Sequence, residues 1–136
     1  MAGKKEIEIS VAEVVDYMRI TGRFGPFLNE VVRRKVTAEE AKRIGLKVST
    51  SELQKAADAF RVANGLNKTE DTEDWLNSNG ISLETLEEFF KTSLLIHKFK
   101  DSLARKTGKK KYFSSQGIKE SVREMAYEDW VTMVLK

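Results

Sequence analysis

Apolar residues recur along most of this chain at three- and four-residue spacing, which is the period of an amphipathic α-helix. A short example follows Ser10, where Glu13 completes a capping-box pattern and Gly22 ends the stretch. The apolar positions that share its single face are Val11, Val14, Val15 and Met18. Because strand-like alternation is scarce and proline occurs once, the pattern predicts an all-α fold.

Helix-starting hydroxyl residues and helix-ending glycines divide the remaining chain into five more helices. Pro26 suits the first position of the second helix, and Gly45 ends it. The third helix is capped by Ser49, Thr50 or Ser51 and ends at Asn64 and Gly65. The fourth helix is capped by Asp71 or Thr72 and ends at Gly80. The fifth helix runs from Ser82 to about Gly108, and the sixth is capped by Ser114 or Ser115.

A chain of 136 residues has the usual length of one domain, so we expect a single compact unit of about six helices. Residues 1–9 form a tail, residues 10–107 form the helical core, and residues 108–136 form a basic loop and a closing helix. The long fifth helix has a wide apolar face and is expected to run through the middle of the fold. The aromatic residues expected to meet in the core are Phe60, Trp75, Phe89 and Phe90.

The last helix carries apolar residues on more than one face, which a surface helix seldom needs. It either completes the core or offers a Met- and aromatic-rich surface to a peptide or a second subunit. Its candidate binding residues are Met125, Tyr127, Trp130 and Met133. Phe24 and Phe27 flank a rigid turn and are further candidates, with a hydrophobic staple on the second helix as the alternative.

Composition excludes several kinds of chemistry. There is no cysteine, so disulfides, thiolate metal sites and a cysteine nucleophile are ruled out, and His97 has no second histidine with which to bind a metal. The carboxylate clusters are typical of helix starts, where the macrodipole favours negative charge. We therefore expect no metal and no cofactor, and the composition favours a function without catalysis.

The charge is nearly balanced, with 24 Lys and Arg against 21 Asp and Glu. The densest basic stretch consists of Arg105, Lys106, Lys109, Lys110 and Lys111. A short cation cluster at a helix C-terminus is typical of a solvated loop, although adjacent aromatics also suit nucleic acid or acidic lipid. A nucleic-acid partner is not expected from so interspersed a charge pattern.

A linked series of helix ends and starts extends from Val31 to Lys106. The junctions that carry it are Gly45 to Ser49, Ser51 to Leu53, and Gly80 to Ser82. In order and spacing they resemble the N-terminal chaperone domain of SurA-type foldases and related parvulin-linked proteins, a helical peptide-binding architecture that is also similar to that of trigger factor. The resemblance implies peptide handling, and it implies that a helix from the far end of the chain completes the domain. It does not imply isomerase catalysis, because these helices leave no room for a parvulin domain.

The expected function is therefore non-catalytic, chaperone-like binding of peptide or unfolded polypeptide in apolar grooves between helices. One alternative is an accessory or scaffold protein that recognises one peptide precursor or enzyme, or that forms a homodimer. A second is a small helical enzyme that uses carboxylates with Arg61 or Tyr127. We expect no membrane span and a cytoplasmic location, because the N-terminal stretch lacks the apolar core of a signal peptide; a periplasmic location would require that a leader had been removed.

Overall fold

The computed structural model describes residues 7–107 and 116–135, and within these ranges the chain is helical with no β-strand. Six α-helices occur, which confirms the predicted all-α class. Their bounds are Val11–Ile20 (α1), Phe24–Arg43 (α2), Thr50–Ala63 (α3), Thr69–Asn79 (α4), Leu83–Thr107 (α5) and Gln116–Val134 (α6).

Serine side chains begin three of the helices as the sequence predicts. At α3 the capping box is complete: the backbone N–H of Glu52 donates to Ser49 Oγ at 3.1 Å, and the N–H of Ser49 donates to Glu52 Oε1 at 3.0 Å. Ser10 Oγ accepts from the N–H of Glu13 at α1, and Ser82 Oγ accepts from the N–H of Thr85 at α5. These local bonds satisfy backbone donors that no helical carbonyl reaches.

Two predicted helix starts are wrong. α2 begins at Phe24, so that Pro26 is its third residue; a proline is tolerated there because first-turn N–H groups have no helical partner. α4 begins at Thr69, and Asp71 lies inside the first turn, where its carboxylate accepts from the N–H of Lys68 at 3.0 Å. The predicted caps Ser114 and Ser115 of α6 lie outside the described residues.

The contacts divide the chain into two compact units, residues 1–33 and residues 34–136, which we describe separately. The N-terminal unit contains α1 and the first ten residues of α2. The helical body contains the rest of α2 and helices α3 to α6. Within the body, α5 packs against both α3 and α6, which agrees with the central position predicted for it.

The core of the helical body is an apolar cluster between α2, α5 and α6. Its buried members are Ala38, Ala41, Leu95, Phe99, Tyr127 and Val131. Leu46 and Val48, in the bridge after Gly45, pack against this cluster together with Leu103 and Trp130. The bridge therefore covers one side of the core.

A second apolar contact joins α3, α4 and α5 through aromatic rings. The Phe60 ring lies 5.0 Å from Trp75, edge to face, and 5.4 Å from the buried Phe90. Placing Phe89 in the core was wrong, because Phe89 is 52% exposed and lies on the next face of α5, with the Arg34 guanidinium 4.5 Å from its ring. Three of the four predicted aromatics thus meet.

Glu52 links the start of α3 to the middle of α5. Lys98 Nζ donates to Glu52 Oε1 at 2.8 Å and to the Lys47 carbonyl oxygen at 2.6 Å. The Lys98 ammonium, helped by the N–H of Ser49, lowers the pKa of Glu52 from 4.5 to about 2. The capping residue is therefore also a charged contact between two helices.

Candidate binding surfaces

One face of α6 completes the core of the helical body. Tyr127 and Val131 are buried, and the Phe99 ring lies 4.7 Å from Trp130 in an edge-to-face contact. The Tyr127 hydroxyl shares a hydrogen bond of 3.1 Å with Thr37 Oγ1 on α2. Two of the four candidate binding residues of this helix, Tyr127 and Trp130, thus contribute mainly to packing within the body.

Charged side chains on α5 and α6 form further contacts that hold α6 against α5. Lys100 Nζ lies 3.2 Å from Glu124 Oε1 and 4.6 Å from the centre of the Tyr127 ring. Arg123 Nη1 lies 3.2 Å from Asp101 Oδ1 and 3.3 Å from His97 Nδ1. The histidine is therefore part of a polar network between two helices, a structural position that needs no catalytic explanation.

The other two candidates on α6, Met125 and Met133, face solvent. They are 65% and 68% exposed, and they lie eight residues apart, which is just over two helical turns. The exposed carboxylates Glu128 and Asp129 lie between them in sequence. We call Met125, Glu128, Asp129 and Met133 the α6 surface.

The N-terminal unit exposes more apolar side chain than the sequence pattern indicated. None of the ten residues of α1 is buried, and Val11 and Ile20 are 81% and 84% exposed. Phe27 is exposed on α2, whereas Phe24 is half-buried with the Arg19 guanidinium 4.6 Å from its ring. The exposed set includes Val11, Val14, Tyr17, Ile20, Phe27, Leu28 and Val31.

Sequence reasoning found Phe27 in this set but missed most of its neighbours. Tyr17 and Ile20 lie outside the face that the first helix was expected to bury. Their position was the sign in the sequence that this helix has apolar residues beyond that face. The apolar spacing of the second helix predicts Leu28 and Val31 on its buried side, whereas both are exposed. The periodicity located an apolar face without showing what covers it.

The basic patch is described only in part. Arg105 and Lys106 are exposed in the last turn of α5, where the helix macrodipole favours cations. Lys109, Lys110 and Lys111 lie outside the described residues. The two described cations are those that a helix C-terminus ordinarily carries.

The two residues named for the enzyme alternative, Arg61 and Tyr127, lie in different contacts. Arg61 Nη1 lies 3.9 Å from Asp58 on its own helix, and Tyr127 is occupied in the core. Over residues 7–107 and 116–135, no three His, Asp or Glu side chains lie close enough together to hold a metal ion. In the same ranges, no helix has both the length and the apolar content needed to cross a bilayer.

Comparison of the chain with protein-family models, with curated proteins and with solved structures finds no match. Over the residues that the structure describes, the chain is an all-α protein with six helices. The resemblance to the SurA-type chaperone domain stays a prediction from the sequence.

Proposed function

We propose that this protein binds segments of other polypeptides without catalysing a reaction on them, and that the α6 surface is a contact site. The observation that carries the proposal is the division of α6 into two faces. One face is closed against α2 and α5, whereas Met125 and Met133 remain two-thirds exposed on the other. Exposed methionines are not needed to complete the core.

Methionine suits a surface that accepts varied apolar side chains. Its unbranched chain adopts many rotamers, and its polarisable sulfur packs against aromatic and aliphatic groups alike. Covering each of these side chains is worth roughly 1–2 kcal/mol, since full burial of a Met contributes about 1.5–3 kcal/mol. Two such contacts contribute about 2–4 kcal/mol, which is less than the roughly 4–15 kcal/mol cost of association, so other contacts of the bound segment must add to them.

Charge narrows the class of peptide. Glu128 and Asp129 lie between the two methionines in sequence, and both are exposed. A bound segment that carries Lys or Arg beside its apolar residues gains attraction from these carboxylates, whereas an acidic segment is repelled. The proposed ligand is therefore an apolar and basic peptide.

The proposal is tested by fluorescence anisotropy with labelled peptides of equal length that are apolar and basic, apolar and acidic, or polar throughout. We expect the apolar and basic peptides to bind most tightly. The double variant Met125→Ser/Met133→Ser should weaken their binding about tenfold, the equivalent of 1.4 kcal/mol. A Val62→Ser variant is the matched control, because Val62 is an apolar residue on α3 that is 80% exposed.

The pattern of binding separates this function from its closest alternative. Similar affinity for many apolar and basic sequences supports general polypeptide binding. Tight, saturable binding to one sequence only supports an accessory protein with a dedicated partner. Absence of binding to every peptide, or equal losses in the α6 variant and the Val62→Ser control, would refute the assignment to α6.

A further inference from the structure

All of the sulfur in this chain belongs to methionine side chains. There are four methionines and no cysteine. Met18 is half-buried on α1, and Met1 lies outside the described residues. Met125 and Met133 on α6 are two-thirds exposed, so they are the most accessible sulfur-bearing side chains in the part of the chain that the structure describes. The α6 surface therefore carries the sulfur atoms that a reagent in solution reaches first.

The two exposed methionines lie on one stripe of α6. Met125, Asp129 and Met133 follow one another at four-residue intervals, and residues at that spacing share a face of an α-helix. The buried residues Tyr127 and Val131 come two positions after Met125 and Asp129, which places them about 200° further around the helix. A small oxidant can therefore reach both sulfur atoms without any opening of the core.

Hydrogen peroxide is the oxidant that suits an exposed thioether, which it converts to a sulfoxide. The sulfur lone pair attacks one peroxide oxygen, and an S–O bond forms as the O–O bond breaks. The new S–OH group then gives its proton to the departing hydroxide, which leaves as water. Sulfur is oxidised by two electrons, and the peroxide is reduced by two. A cysteine thiolate would compete for the peroxide, and this chain has none.

Oxidation changes the property on which binding by the α6 surface depends. A methionine sulfoxide is polar, so an apolar side chain that covers it takes water away from the S=O oxygen and costs free energy instead of gaining it. The carboxylates of Glu128 and Asp129 do not react with peroxide and keep their charge. The oxidised surface therefore keeps its attraction for basic residues and loses its attraction for apolar ones.

We propose that Met125 and Met133 are oxidation sites through which hydrogen peroxide weakens polypeptide binding by the α6 surface. This inference rests on the proposed function and adds a regulatory modification to it. The modification is reversible, because methionine sulfoxide reductases return the thioether and release water while a dithiol is oxidised to a disulfide. Exposure of both side chains leaves them open to peroxide and to these enzymes alike.

Mass spectrometry and fluorescence anisotropy together test the proposal. The full chain is treated with hydrogen peroxide, the peroxide is removed, and the affinity for a labelled apolar and basic peptide without Met or Cys is measured. We expect Met125 and Met133 to gain oxygen before Met18, and the affinity to fall about tenfold as they do. Treatment with both stereospecific methionine sulfoxide reductases and dithiothreitol should restore it. Circular dichroism checks that the oxidised chain keeps its helix content.

Leucine variants separate oxidation of the α6 surface from damage elsewhere, and each variant is compared with itself before and after peroxide. Met125→Leu/Met133→Leu has apolar side chains at both positions and no sulfur on this surface. Its affinity after peroxide should therefore equal its own affinity before. Met18→Leu is the matched control, because it removes a methionine from α1 and should leave the loss caused by peroxide at about tenfold.

The outcomes distinguish this inference from the proposed function. Full oxidation of Met125 and Met133 without a change in affinity would overturn the inference and leave polypeptide binding in place. An equal loss of affinity in the Met125→Leu/Met133→Leu variant would also overturn it, because the effect would then arise elsewhere. Absence of peptide binding before any peroxide is added would refute the proposed function, and regulation of that binding would be refuted with it.

Discussion

Two hydroxyl groups meet inside the apolar core of the helical body. Thr37 on α2 has no accessible surface, and its Oγ1 lies 3.1 Å from the Tyr127 hydroxyl on α6. A buried hydroxyl left without any partner costs roughly 1–3 kcal/mol, and this hydrogen bond helps to satisfy both groups. The pair therefore fixes which face of α6 turns inward, and it leaves Met125 and Met133 outside.

Removing one member of this pair should destabilise the body. Tyr127→Phe keeps the ring but removes the hydrogen bond between the two hydroxyl groups, and we expect a loss of about 1 kcal/mol in the free energy of unfolding. Tyr17→Phe, which removes an exposed hydroxyl, is the control and should change stability very little. Urea unfolding followed by circular dichroism measures both, and equal effects would contradict the assigned role.

At the scale of the helix, predictions succeeded where the signal was local. Ser10 and Ser82 were identified as starts, and Ser49 was one of three candidates for the start of α3, because each cap involves residues only three positions apart. The start of α4 was predicted at the wrong residue, because Asp71 lies inside the first turn and accepts a hydrogen bond from the N–H of Lys68, three residues earlier. The residue type of Asp71 does not distinguish this position from that of a cap. The division of α6 into a core face and an exposed face was beyond the pattern, since apolar residues occur all around that helix and only neighbouring helices decide which are covered.

Gly80 ends α4 in the left-handed conformation, with φ of 63°, and the N–H of Ile81 donates to the Leu76 carbonyl at 3.0 Å. A side chain at such a position is strained, although no neighbouring atom crowds it. We expect Gly80→Ala to lower the free energy of unfolding by about 1–2 kcal/mol.

The same substitution at Gly25 is its control. Gly25 lies in the first turn of α2 without a positive φ and with open space around it. Alanine favours the helix over glycine, but the ring of the following Pro26 crowds the Cβ of a helical residue before it, so the two effects oppose each other and we expect a smaller change in stability than at Gly80. A loss at Gly80 that exceeds the change at Gly25, measured by urea unfolding, is the expected result, and equal losses at both positions would contradict the conformational explanation.

At the scale of the whole molecule, α5 connects most of the helical body. It packs against α6 through Phe99, meets α3 through Phe90, and contacts the start of α3 through Lys98. This central position was predicted from the wide apolar face of the helix. The exposure of apolar residues in the N-terminal unit was not predicted, because an apolar sequence pattern does not distinguish a face that is covered within the chain from one that is exposed.

The contact between Lys98 and Glu52 makes the stability of the body depend on pH. The folded state lowers the pKa of Glu52 from 4.5 to about 2, so the stabilisation is present above pH 4.5 and is lost as the pH falls from there through 2. Glu52→Gln should therefore lower the free energy of unfolding at neutral pH. Near pH 2 the difference in this free energy between the variant and the parent should be smaller. Urea unfolding at both pH values checks this, with Glu88→Gln, an exposed carboxylate of α5, as the control. A difference that does not narrow at low pH would show that the charge is not responsible.

Two aromatic contacts in the helical body contain tryptophans that can serve as intrinsic fluorescent probes. The chain has two tryptophans, and they lie in different contacts: Trp75 against Phe60, and Trp130 against Phe99. Replacing one of them with phenylalanine leaves a single fluorophore whose emission reports on its own surroundings. Departure of α6 from the body and separation of α3 from α4 can therefore be followed independently, in the intact chain and without an attached dye.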